Sequence, residues 1–473
     1  VGRQSVDPVI GPTGAGRTQL VLEVPPGRLA ERAYTARVLF EELIGVGCEV
    51  RPSQRPIPVL SCPGAEGEIR LADGFLALPE QEWLTADSVP AAATPWPIPE
   101  SLRSTAGPES LFLIAGPDHR QAELTITGDL LGTAFFFLTR YEEVAAPALD
   151  GHGRHRADGT LAGRGGWLGR PVVNEIAEVL WASIERQWPG VVRVQRKFRL
   201  LVSHDVDHPR CISGRSGPRL VAGAARALVR QGWQAAARRL DGWSRVRRGG
   251  AKADPCWTFD WLMTESERRG VRSAFYFIPG GGKGAEYRLG DREIADLMAG
   301  IAARGHEAGF HPSYDAADQP QLFNKELSSL RDACEAAGLP TTHLGGRHHY
   351  LRWRADRSWA QWHAAGLEYD SSVGFASAPG FRAGICSEYS TFDLARGMAM
   401  PFRERPLVVM DVSLLDKIYL GLSHGEAVDR AVGLARTCRR YQGDFVLLWH
   451  NDQLWTPTDR EAYLAILDGC RES

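Results

Sequence analysis

From residue 199 onward the chain alternates short apolar runs with stretches of helical periodicity, and most of the apolar runs stop at acids, imidazoles or an arginine. Strand-like runs cover Arg199–Val206, Arg272–Pro279, His306–His311, His343–His349, Tyr369–Val373, Leu407–Ser413 and Phe445–His450. Helical spacing predicts partners over Phe259–Arg269, Asp291–Ala303, Gln321–Ala337, Arg357–Ala365, Ser423–Tyr441 and Asp459–Cys470. Such alternation implies a parallel sheet. Seven strands predict an α/β fold in the form of an incomplete, distorted (β/α)7 barrel.

The strand ends carry the chemistry. Leu200 to Ser203 reads as a buried strand, and His204, Asp205, Asp207 and His208 follow it. Taken alone, a strand running into a solvated turn explains them. Later ends add His311 with Asp315, Arg347 with His348 and His349, Asp370, and His450. In open α/β sheets and barrels such ends meet on one side, where these folds keep their ligands. Two carboxylates with several histidines have the composition of a metal-dependent hydrolase.

At 473 residues the chain is too long for one ordinary core. We expect an N-terminal α/β domain over 1–195 and the barrel over 196–473, with a basic helical insertion at 209–256. A net charge of -2 gives no reason to expect nucleic acid. Eight cysteines without a C-x-x-C pair argue against a zinc knuckle or a disulfide framework. Neither a secretory leader pattern nor a run of roughly eighteen apolar residues occurs, so the expectation is a cytoplasmic protein with reduced thiols.

In the first half, Gly11–Thr18 has phosphate-loop spacing with Arg17 in place of lysine, but no strand of adequate length precedes it. Leu29–Leu43 reads as a helix ending at Gly45, and strands are expected near Ile57–Leu60, Ile69–Leu71 and Leu111–Ile114. Asp129–Tyr141 is apolar and helical in length, and Pro171 opens another helix. Between them lies a Gly/Arg/His-rich loop with His152, Arg154 and His155, more ordinary as surface residues than as substrate contacts. The insertion is rich in arginine from Arg210 to Lys252, with an apolar stripe at helical spacing. Packing of that stripe on the protein is the plainer reading, and peripheral contact of segment 210–252 with an anionic membrane is the sharper one.

Residues 198–470 resemble the NodB-homology polysaccharide deacetylases, carbohydrate esterase family four. Ser203-His204-Asp205-Val206-Asp207 resembles the family's first motif, His311-Pro312-Ser313-Tyr314-Asp315 its histidine motif, and Arg347-His348-His349-Tyr350 its arginine motif. Tyr369-Asp370-Ser371-Ser372 and Leu447-Leu448-Trp449-His450 resemble the fourth and fifth. The resemblance implies Asp205 as general base, Asp207 and His311 as metal ligands, and Arg347 as the residue orienting Asp205. It further implies Tyr350 N–H as oxyanion donor, Asp370 as the acid tuning the catalytic histidine, and His450 as general acid. Asp315 and His349 compete for the third place on the metal. Arg382, in a Gly-rich stretch outside the common motifs, either lines the substrate groove or braces its own loop.

The resulting expectation is a hydrolase dependent on a divalent metal, zinc by preference with cobalt, nickel or iron as substitutes. It would remove an N-acetyl or other N-acyl group from an amino sugar of a bacterial polysaccharide or its precursor. A catalytically degenerate glycan-binding barrel and a C–N hydrolase of small amides are the alternatives. An open groove rimmed by aromatic rings favours the sugar, and a closed pocket the small molecule.

Overall fold

The computed structural model describes residues 19–115, 125–213, 221–223, 225, 229, 233–280 and 287–472. The stretch Gly11–Thr18 lies outside the described residues, as do Arg215, Arg219, Arg226, Arg230 and the side chain of Arg238.

The first half builds a small mixed sheet in the order β2-β1-β3-β4 from β1 (Gln19–Val24), β2 (Gly47–Pro52), β3 (Val59–Ser61) and β4 (Glu68–Arg70). A hairpin of β5 (Thr94–Pro97) and β6 (Ser110–Leu113) accompanies it. The helix expected at 29–43 forms as an α-helix, Leu29–Ala36, continued by a π-helical stretch, Arg37–Ile44. Gly45 ends it at φ +78°, where a side chain would strike Val194. The apolar helix Leu130–Leu138 begins at Asp129, whose carboxylate accepts from Gly132 N–H at 2.9 Å. Val172–Gln187 is the third long helix of this half.

Among the described residues the second half holds nine strands: β7 (Arg199–Val206), β8 (Ser273–Phe277), β9 (Glu307–Phe310), β10 (Gly345–Gly346), β11 (Tyr369–Asp370), β12 (Tyr389–Asp393), β13 (Met398–Glu404), β14 (Val409–Met410) and β15 (Asp444–Leu448). Their order is β12-β13-β11-β10-β9-β8-β7-β15-β14, parallel except for the β12–β13 hairpin. The expected (β/α)7 barrel therefore does not close as a continuous ladder. The chain from β13 to β14 still links the two sides. Arg405 N–H donates to Asp370 O at 2.8 Å and Leu407 N–H to Val373 O at 3.1 Å, while Val408 N–H reaches Val446 O at 3.1 Å. Pro406, with no N–H to give, stands inside this crossing, which accounts for a bridge of single bonds instead of a regular strand. Where a strand was expected over Leu407–Ser413, Val409–Met410 alone is extended and Asp411–Leu415 turns helical.

One apolar core runs through both halves. Phe392 of β12 packs on Tyr34 and Phe135 at ring separations of 5.0 and 5.4 Å, and Tyr34 Oη donates to Ser390 O at 2.9 Å. In the insertion, the helix Trp233–Gly249 leaves Trp233 and Leu240 exposed, so its stripe is not wholly packed on the protein. Among the described residues no helix is long and apolar enough to cross a membrane.

Arg382 lines no groove. It is fully buried, and its Nε and Nη2 grip Glu143 of the first half at 2.9 and 2.6 Å while Nη1 donates to Gly374 O at 2.8 Å. Burial works against ionisation of Glu143, but Arg382 and Arg140 hold its carboxyl below the usual carboxylate range. Removing Glu143 leaves Arg382 buried without an acid, at a cost of about 3–5 kcal/mol, whereas removing Arg382 still leaves Glu143 its bond from Arg140 at 2.9 Å. Glu143→Ala and Arg382→Ala should each lower the thermal midpoint clearly in calorimetry, and the double variant should lose less than the two single losses added together.

Candidate active site and metal centre

The strand ends place five of the expected side chains in one cluster. Asp205 stands at the end of β7 and Asp207 just past it, His311 follows β9, His349 sits three residues beyond β10, and His450 two residues beyond β15. Asp207, His311 and His349 each offer a ligand atom, all within 4.8 Å of one another. His311 Nε2 lies 3.2 Å from Asp207 Oδ1, and His349 Nε2 lies 3.5 Å from Asp207 Oδ2.

The tautomer of His311 tests whether a cation fits here. Its Nδ1 is 2.6 Å from Arg347 O, which can only accept, so Nδ1 carries the proton. In the neutral ring Nε2 is then a lone pair facing a carboxylate, and two acceptors at that distance repel. Asp207 Oδ1 is buried and receives no hydrogen bond among the described residues. A cation among these three residues, or a proton on His311, resolves the conflict. Asp205 and Asp207 together outweigh burial and raise the His311 pKa, while His349 and His311 hold Asp207 well below its ordinary value against its own burial. Two imidazoles and one carboxylate with a backbone-fixed tautomer form a three-ligand set suited to zinc or a similar ion.

Arg347 fixes the neighbouring acid. Wholly buried, it donates from Nη1 to Asp205 Oδ1 at 2.8 Å, and its Nε and Nη2 reach Ser371 O and Oγ at 2.8 and 3.0 Å. Asp205 Oδ2 remains 3.7 Å from His311 Nε2, adjacent to the triad. His450 approaches the other acid, with Nε2 3.7 Å from Asp207 Oδ2.

The acid that orients His450 is Asp411, not Asp370. Asp411 Oδ1 lies 2.8 Å from His450 Nδ1, and Asp411 Oδ2 accepts His450 N–H at 2.6 Å. Burial opposes a charge on His450, but Asp411 and Asp207 raise its pKa well above the ordinary value. Asp370 is fully buried elsewhere, accepting from Ser372 Oγ, and burial pushes it up to about 7. Asp411 was missed because Leu407–Ser413 reads as one apolar strand, in which an acid near the end looks incidental.

Asp315 is exposed in a 3₁₀ turn, Tyr314–Ala317, so of the two candidates for a third ligand only His349 groups with Asp207 and His311. The residue after it, Tyr350, is in the left-handed region at φ +60°, followed by Leu351 at φ +53°. Such conformations cost about 1–3 kcal/mol each for residues other than glycine. Tyr350 N–H donates to no described group, and the residue is 49% exposed. His348 accepts from Trp362 Nε1 at 2.6 Å and burial pushes it down to about 3; His204 sits against Trp449 O at 2.7 Å and burial pushes it down to about 4. Both are structural.

A second group, Cys211, Asp254 and Cys256, is also close enough to hold an ion. Asp254, however, already accepts N–H bonds from Cys211, Ile212, Ser213 and Cys256 and serves as the clamp at the base of the insertion. Between that base and the cluster is a cavity of about 590 Å³ lined by His208, Arg239, Leu415, Asp452 and Trp455 among others. None of the triad lines it, but His208 and Asp452 stand one and two residues from Asp207 and His450.

Residues 20–189 match a family of unknown function (DUF7033). No curated protein matches the chain. Among solved structures, a candidate polysaccharide deacetylase of Mycobacterium smegmatis is similar at 17% identity and TM-score 0.37, over 58% of this chain and 84% of that one. A candidate polysaccharide deacetylase of Pseudomonas aeruginosa PAO1 gives 12% and 0.36, and an allantoinase 11% and 0.36, each over 60% of this chain and 87% of the other.

Two measurements check the site. Metal analysis should find a divalent ion in the protein and in Asp315→Ala, and its loss in His311→Ala and His349→Ala. Asp370→Asn should stabilise the fold, more at pH 8 than at pH 5. The sign follows from a carboxyl raised from about 3.9 when unfolded to about 7 when folded. Its penalty is absent below the lower value and grows as pH rises to the upper one. Melting curves at the two pH values give the comparison, and an equal or larger gain at pH 5 would contradict the placement of Asp370.

Proposed function

We propose that the chain is a metal-dependent hydrolase removing an N-acetyl or related N-acyl group from an amino sugar of a glycan. The chemistry lies in residues 196–473, and residues 1–195 form a supporting half. The observation that carries the reading is the pairing of a three-ligand set with an acid and an imidazole held on either side of it by separate buried partners. A divalent ion at Asp207, His311 and His349 would supply Lewis acidity, polarising the acyl carbonyl and making a water more acidic.

Each remaining residue then has a defined task. Asp205 keeps Oδ1 on Arg347 and has Oδ2 free to take a proton from the attacking water. Tyr350 N–H is unengaged and suited to the oxyanion of the tetrahedral intermediate. His450, kept protonated by Asp411, can hand the proton on Nε2 to the departing nitrogen. A glycan-binding domain without activity has no use for a base, an acid and an orienting arginine together. The rings of His152, Tyr314 and Tyr350, at 5.2–5.9 Å from one another, favour a sugar over a small amide.

Acetate release from a panel of N-acetylated glycans by the zinc-loaded protein tests this. Asp205→Asn should keep its metal and lose about 10²–10⁴ in kcat, the contribution usual for a general base. Release of no acyl group from any amino sugar by the zinc-loaded protein would overturn the proposal. Metal loss in Asp205→Asn would mean that Asp205 is a ligand.

A further inference from the structure

We propose that the first half of the chain completes the active site, with Arg154 as a positioning residue for Tyr350 and His152 as part of a sugar-binding platform. The idea rests on the deacetylase reading and gives the family-of-unknown-function segment a task in it.

The carrier is a tight hairpin. Leu149 and His155 pair as an isolated antiparallel bridge, Asp150 N–H donates to Arg154 O at 2.8 Å, and Asp150 Oδ1 accepts from His152 N–H and Arg154 N–H at 2.8 and 3.0 Å. His155 at its base is buried beside the charge cluster that joins the two halves, with Nε2 3.9 Å from Glu143 and no hydrogen bond among the described residues. Burial of this base together with hydrogen bonds from Arg154 and Arg352 seats the hairpin against the second half.

From that anchor Arg154 reaches across. Its Nη1 donates to Tyr350 O at 3.1 Å and its Nη2 to Tyr419 Oη at 3.3 Å, while Nε is held by Asp150 Oδ2 at 2.7 Å. Tyr350 follows ligand His349 and keeps an unfavourable left-handed backbone, so something outside the segment must hold it. Fixing the Tyr350 carbonyl restrains the residue whose N–H is free for an oxyanion. Arg352 ties the hairpin from the other side, donating from Nε to His152 O at 2.9 Å and from Nη1 to Tyr314 O at 2.5 Å.

The same contacts build a wall for the ligand. His152 Nδ1 is 3.1 Å from Tyr314 Oη, and the His152 and Tyr314 rings flank the half-exposed Tyr350 ring, itself 4.7 Å from the His349 ring. Rings with one polar edge beside a hydrolytic centre suit the apolar face and hydroxyls of a pyranose. The ligand class is therefore an oligomer of N-acetylated hexosamine, with one residue at the reacting centre and its neighbour on this platform.

Hydrogen–deuterium exchange and kinetics on Arg154→Ala and Arg154→Lys, both zinc-loaded, test the inference, with N-acetylglucosamine tetramer as the probe. In Arg154→Ala the amides of 349–352 should exchange faster while metal content stays unchanged. kcat should fall by about tenfold or more, up to the roughly 10²–10³ that an oxyanion donor contributes, with KM little moved. Lysine, which keeps a donor but cannot serve three acceptors, should restore part of both, and it stands in for alanine if that variant does not fold. Unchanged exchange at 349–352, or a loss confined to KM, would overturn the positioning role. If the unsubstituted protein releases no acetate, the deacetylase reading falls, and the exchange comparison alone still decides whether Arg154 holds Tyr350.

Discussion

Arg347 works from both ends, and the rest of the site depends on it. Its guanidinium, buried and divided between Asp205 and Ser371, fixes which carboxylate oxygen is engaged and which is free. Its carbonyl fixes the tautomer of His311 and so turns a lone pair toward Asp207. One residue thereby assigns different tasks to two acids only two positions apart. Such a charge is tolerated in a dry interior because it has an acidic partner and several acceptors; without them its desolvation would be prohibitive. Asp411 does for His450 what Arg347 does for Asp205, so the proposed acid and base are oriented by independent partners.

Much of this arrangement can be read from the sequence, and the failures have physical reasons. Strand ends are local: an apolar run followed by acids or imidazoles announces itself, and Asp205, Asp207, His311, Arg347, His349 and His450 do meet. Helix ends were equally plain, with Gly45 closing one helix and Ser423 opening another through a capping box with Glu426. What sequence reading could not supply was partnership between distant residues. Asp370 and Asp411 are both acids beside short apolar runs, and only the turn of the chain from β14 directly into the helix Asp411–Leu415 brings the second of them to His450. Asp315 has helical spacing from His311, yet Pro312 interrupts the chain there and a 3₁₀ turn leaves the acid in solvent. The β12–β13 hairpin was hidden in a segment read as Gly-rich excursion, and Arg382 within it braces the fold instead of lining a groove.

The two halves are not independent bodies joined by a linker. Tyr34, Phe135 and Phe392 share one core, and Glu143 with Arg382 joins the halves through a dry ion pair. Charges placed there cost desolvation that an apolar contact would not, which suits a junction needing one geometry more than maximal stability. That junction also carries the base of the Leu149–His155 hairpin, so the geometry of the mouth is set by packing far from it.

The central claim is that Asp207, His311 and His349 hold a divalent ion. X-ray absorption at the zinc edge of the zinc-loaded protein tests it directly, because the first shell separates nitrogen and oxygen from sulfur. The account predicts a shell of nitrogen and oxygen alone at about 2.0–2.2 Å, with the scattering of two imidazoles. Sulfur at about 2.3 Å would place the ion at Cys211 and Cys256 and contradict it.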